Sequence, residues 1–120
     1  MDNIKKYAPY LLLILPAIAF VAAGGAKLAG VEEVLASFSL MGMPSWFGTF
    51  IGACEVAGGL ALVFLPALRK LAAAGLALIM LGAIYFHVAY SVPSPVPAIV
   101  LLLFMIVIMA RNWNKSAAAA

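Results

Sequence analysis

Long apolar runs, broken at a few points by prolines and cations, organise this chain. A helix needs about 20 apolar residues to cross a bilayer, with a range of roughly 17–25. Tyr7 to Gly25, Trp46 to Pro66 and Leu71 to Val92 meet that length. Val96 to Ala110 is shorter, and Arg111 and Trp113 extend it to an interface. None of these runs alternates in hydrophobicity over ~10 residues, as spanning strands do. Pro66 closes the second run before Arg69 and Lys70, and Pro93, Pro95 and Pro97 part the third from the fourth. Backbone without helical hydrogen bonds belongs outside the hydrocarbon. The pattern predicts an all-α integral membrane four-helix bundle, one domain over 1–120, with spans near 7–25, 46–66, 71–92 and 96–110. Between the first two spans, Leu28, Val31, Val34, Leu35 and Phe38 recur at helical spacing, with Lys27, Glu32 and Glu33 among them. This predicts a short amphipathic helix near 28–40, lying on the outer surface or capping the bundle. Gly42-Met43-Pro44 then turns the chain into the second span.

Composition agrees. The chain has 120 residues, 68% hydrophobic and 9% charged, with a mean hydropathy of +1.20. Soluble domains are about half apolar and a quarter charged. A domain this small leaves much of its surface outside its core, so the solvent for that surface is lipid. The first run follows Lys5 and Lys6 and contains Ala17-Ile18-Ala19, which resembles a signal peptide. It continues apolar to Ala23, longer than a signal core, and is read as a retained membrane helix.

The net charge is +3, but the seven cations are scattered and sit at the ends of apolar runs. No basic stripe exists to track phosphates, so nucleic acid is excluded as a partner. With four spans, Lys5, Lys6, Arg69, Lys70, Arg111 and Lys115 share one side; the other carries Lys27, Glu32 and Glu33. The positive-inside rule then places both termini in the cytoplasm. The tail ending in Ala117 to Ala120 is low-complexity alanine and carries no function in this reading.

One acid interrupts the second span. Gly48, Gly52, Glu55 and Gly59 fall on one helical stripe. Small residues let helices approach closely, so this stripe faces the bundle and carries Glu55 inward. Pro16, Phe20, Gly24 and Lys27 share a stripe on the first span, and Leu76, Met80, Ala83, His87 and Tyr90 on the third. The fourth span has no polar residue from Ala98 to Ala110 and reads as a lipid-facing scaffold. At 1.5 Å per residue, Glu55 lies ~13 Å below Trp46 and His87 ~7 Å below Val92, an offset of roughly 6 Å. A carboxylate alone in hydrocarbon protonates or finds a partner. Lys27 fits by charge, and His87 or Tyr90 by hydrogen bond.

Two readings of these residues stand side by side. In one, Lys27, Glu55 and His87 form a polar network that pins helices together. In the other, they line a pocket for a small amphipathic molecule, since ionisable groups within membranes mark functional sites. Catalytic signatures are absent: there is no HExxH, CxxC, phosphate loop or serine–histidine–acid set. A metal is not expected, because Cys54 lies about 100° around the helix from Glu55. As a lone cysteine, Cys54 reads as a small apolar residue.

The segments AGGAKLAG at 23–30, Phe38 with MGMPSW at 41–46, IGACEVAGGLAL at 51–62 and AAAGLALIMLGAIYFH at 72–87 occur in one order and spacing. In that ordered set the chain resembles the DoxX / DoxX-like family of small bacterial four-helix membrane proteins. The resemblance covers about Gly24 to His87, and the fourth span matches only as an apolar helix. It implies an inner-membrane protein. The family's namesake is a subunit of a thiosulfate:quinone oxidoreductase, and other members are proposed partners in membrane redox or stress-defence complexes. A distantly similar eukaryotic branch assists receptor assembly. The family's polar positions map to Lys27, Glu55 and His87.

Together these lines predict a subunit or accessory of a quinone-linked membrane redox system, not catalytic alone. It would bind a quinone or lipid-like molecule in an outer-half pocket. Lys27 would donate to a carbonyl oxygen, Glu55 would act as counter-ion or proton acceptor, and His87 as donor or relay. Tyr90 and Phe20 would pack against a ring. No covalent cofactor is expected. The rival expectation is a non-catalytic assembly subunit whose glycine-rich faces grip other membrane subunits or further copies of itself. A transporter or channel finds little polar lining in four such helices.

Overall fold

The computed structural model of the chain describes residues 2–90 and 95–111, with side chains from residue 7 onward except at 33, 34, 37 and 45. It is all-helical over these residues: α1 (Asp2–Leu28), α2 (Glu32–Leu40), α3 (Ser45–Phe64), a 3-10 turn at Pro66–Leu68, α4 (Arg69–Ala89) and α5 (Val96–Ala110). Three stretches are long and apolar enough to cross a membrane: Tyr7–Leu28, Trp46–Phe64 and Pro66–Ala89. Val96–Ala110 is apolar but shorter. The side chains of Lys5 and Lys6, the expected third-span end at Val92, Pro93, Trp113, Lys115 and the alanine tail lie outside the described residues.

The four long helices pack as two pairs. α1 lies against α3, α5 runs along α4, and α3 meets α4 to join the pairs. The core follows these seams, with Leu13, Phe20, Leu62, Leu76, Met105 and Ile108 almost wholly enclosed. α5 is more than an outer scaffold, because Ala98, Met105 and Ile108 are buried while Leu103 and Ile106 face outward.

The ends of α1 and α2 are set by glycines that can take a left-handed backbone. Gly30 has φ 78°, and Val31 N–H donates to the Ala26 carbonyl while Gly30 N–H donates to Lys27. Gly42 has φ 74°, with Met43 N–H on Phe38 and Gly42 N–H on Ser39. Both are Schellman caps, which satisfy the last helical carbonyls and reverse the chain. The first cap is why α1 runs on to Leu28 and the short helix begins at Glu32, later than the apolar spacing alone places it. It also fixes Lys27 in the last turn of α1.

Arg69, counted among the cations at the ends of apolar runs, turns inward from that position. It is buried, with Nε donating to the Leu62 carbonyl at 2.6 Å and Nη2 to Val63 at 3.4 Å. These carbonyls lie in the last turn of α3, where backbone acceptors lack helical donors and a cation is favoured. Truncating Arg69→Met is expected to cost about 1–3 kcal/mol, the usual penalty for stripping buried acceptors of their donor. Thermal unfolding in a single detergent measures it, and Arg69→Lys should recover only part of the loss.

Candidate functional site

The tightest seam sets the site. At the crossing of α1 and α3, Gly24 and Gly52 lie backbone to backbone. A Cβ added at Gly24 would come 2.5 Å from the Gly52 carbonyl oxygen, and one at Gly52 would come 2.7 Å from Lys27 Cβ. Further along, Gly59 abuts the Ala17 carbonyl and Val21. Gly48, expected in the same seam, instead makes room for Leu35 and Phe38 of α2. The glycine stripe therefore packs within the chain, against α1 and α2.

This close approach carries Lys27 onto Glu55. Lys27 Nζ stands 2.6 Å from Glu55 Oε1, with the side chains 14% and 3% exposed. The angle is poor, and Oε1 is fully buried with no hydrogen bond among the described residues. Charge holds the contact: an ammonium rotates its three protons freely, and attraction between ions depends little on that angle. Neither ion is stable alone in such surroundings, and each offsets part of the other's desolvation.

The pair lines a cleft of about 890 Å³. α2 and the following turn contribute Phe38, Met41 and Met43; α3 contributes Phe47, Ile51 and Glu55; the second half of α4, with Tyr90 capping it, contributes a further wall that includes Tyr85, Phe86 and His87. The size falls within the roughly 300–1,000 Å³ of small-molecule sites, and mostly apolar walls with a few convergent polar groups are usual for them. Lys27, Glu55, His87 and Tyr90 thus meet at one cavity. The ring of Phe86 stacks at a tilt on Tyr90, with centroids 5.3 Å apart, and meets His87 edge-on at 5.8 Å.

Phe20 is placed elsewhere. It is wholly enclosed in the core beside Gly59, away from the cleft wall. It shares a helical stripe with Lys27, but the two positions are two turns apart, and the cleft reaches only the last turn of α1. Sequence reasoning also passed over the Met41–Met43 turn, Phe47, Ile51 and Tyr85. One signal was present: Phe47, Ile51 and Glu55 repeat every four residues on α3, a face adjoining the glycine stripe.

Apolar helices of spanning length, packed together around the Lys27–Glu55 pair, define a membrane protein. The sequence profile of the DoxX-like family matches residues 11–109, and the chain belongs to that family. No curated protein and no solved structure matches it.

Proposed function

We propose that this chain is a multi-pass protein of the bacterial inner membrane that binds a quinone or lipid-like molecule in its cleft, as a subunit or accessory of a membrane redox system. The observation that carries this reading is the Lys27–Glu55 pair on the wall of an apolar cavity. A purely structural pair gains nothing from an adjoining cavity, whereas a binding site needs one. With Val96–Ala110 counted as a fourth crossing, the sequence assigns six of the seven cations to the side opposite Lys27, so both termini are cytoplasmic and the cleft lies in the outer half. There Lys27 donates to a ligand oxygen, Glu55 balances its charge, His87 donates or relays a proton, and Tyr90 packs against a ring.

The test is native mass spectrometry of protein released from membranes in mild detergent. One small molecule per chain is expected, lost in the double variant K27M/E55Q. Only phospholipid in variable number, equal in both proteins, would contradict the reading.

One observation favours a second reading, an assembly subunit without a ligand of its own. Leu71, Gly75, Leu78, Gly82 and Tyr85 form an exposed stripe on α4, the last three also bordering the cleft, and a Cβ at Gly75 or Gly82 would meet no atom within 4 Å. Such small positions accept a neighbouring helix. Co-purification of a larger complex at fixed ratio, unaffected by Glu55→Gln, would decide for this reading.

A further inference from the structure

We infer that the cleft selects uncharged amphiphiles bearing a hydrogen-bond acceptor, and that the Lys27–Glu55 pair enforces this by cancelling its own charge. The inference rests on the cleft being a binding site, as proposed above.

Lys27 and Glu55 are the two formally charged residues of the cleft lining, and they stand 2.6 Å apart. A ligand head at the pair therefore meets a dipole of no net charge. Around it the walls are aromatic, thioether and aliphatic. A carboxylate or ammonium head would surrender its hydration on entering, a large cost unless an opposite charge replaces the water. The site offers none in excess: an anion drawn to Lys27 also meets Glu55, and a cation drawn to Glu55 meets Lys27. A neutral carbonyl head surrenders much less and still finds a donor. The ammonium has three protons and points at one carboxylate oxygen, while its side chain keeps some exposure. The remaining titratable groups on the lining, Tyr85, His87 and Tyr90, come from the end of α4 and the residue that caps it.

The pair is thus a selectivity filter that either half can unbalance. With Glu55→Gln, Lys27 becomes a net cation and the cleft should prefer anions. With Lys27→Met, Glu55 becomes a net anion and the preference should turn to cations.

The experiment adds decyl-benzoquinone, lauric acid and dodecylamine separately to the full chain in uncharged detergent. Native mass spectrometry then reads the fraction of protein carrying one adduct. An H87Q background, run in parallel, removes the imidazole as a source of charge. Wild type is expected to favour the quinone at least about tenfold over either charged probe, equivalent to ~1.4 kcal/mol. Laurate occupancy should rise about tenfold in E55Q, and dodecylamine occupancy likewise in K27M. If K27M does not fold, E55Q still carries the test, because an unpaired lysine can extend its ammonium toward water. Equal uptake of laurate and quinone by wild type, or an unchanged order in E55Q, overturns the inference and leaves the ligand-binding reading standing. No adduct with any probe overturns both.

Discussion

Replacing Gly52 by alanine is expected to force α1 off α3 and to destabilise the protein by about 3 kcal/mol, the upper part of the usual range for overpacking. Two backbones meet there, so little can yield. The new methyl would lie 2.7 Å from Lys27 Cβ and 2.8 Å from the Gly24 carbonyl oxygen. Gly24→Ala should do the same from the other side, since its methyl would meet Gly52 O at 2.5 Å. Gly75→Ala is the control: nothing lies within 4 Å, and alanine is favoured over glycine in a helix by roughly 0.5–1 kcal/mol. Thermal unfolding of the three variants in one detergent should leave Gly75→Ala at or above wild type and the seam variants well below it. Because the seam delivers Lys27 to Glu55, the seam variants should also lose any bound small molecule, although neither glycine lines the cleft.

Lys27→Met is expected to cost about 3–5 kcal/mol, the penalty for leaving a buried charge without its partner. Glu55 is the more enclosed of the two, so its charge is left without a partner where water compensates it least. Glu55→Gln should cost less, because the lysine stem can carry its ammonium outward. K27M/E55Q should recover much of the K27M loss, since removing both charges also removes the desolvation cost. The asymmetry separates an ion pair from two unrelated polar residues, for which the double variant would be the worst of the three. Chemical denaturation or heating in the same lipid or detergent ranks the variants.

Much of this architecture was legible because membrane helices have a coarse grammar. Apolar run length located α1, α3, α4 and α5, and the glycine stripe gave the inward face of α3 and so the direction of Glu55. The Lys27–Glu55 contact followed from charge, since each was the nearest opposite charge at comparable depth. What stayed hidden depended on neighbours in space. Helical periodicity put Phe20 and Lys27 on one stripe but could not say that the cavity stops short of Phe20. Gly48 looked like its stripe-mates, yet α2 folds over it where α1 covers Gly52. Arg69 read only as a cation at the end of an apolar run, because composition cannot show a guanidinium turning back to the carbonyls at the end of α3. The cleft wall was missed for a related reason: Met41 and Met43 come from a turn, and a turn's facing depends on the caps at Gly30 and Gly42.

The account depends on two oppositely charged side chains meeting beneath a mostly apolar cavity. The coupling energy between positions 27 and 55, from a double-mutant cycle of wild type, K27M, E55Q and K27M/E55Q in bilayer nanodiscs, tests this directly. Contacting residues couple by about 0.5–3 kcal/mol, and a value near 2 kcal/mol is expected here. Additivity within about 0.5 kcal/mol would mean the two groups do not meet, and would contradict the site.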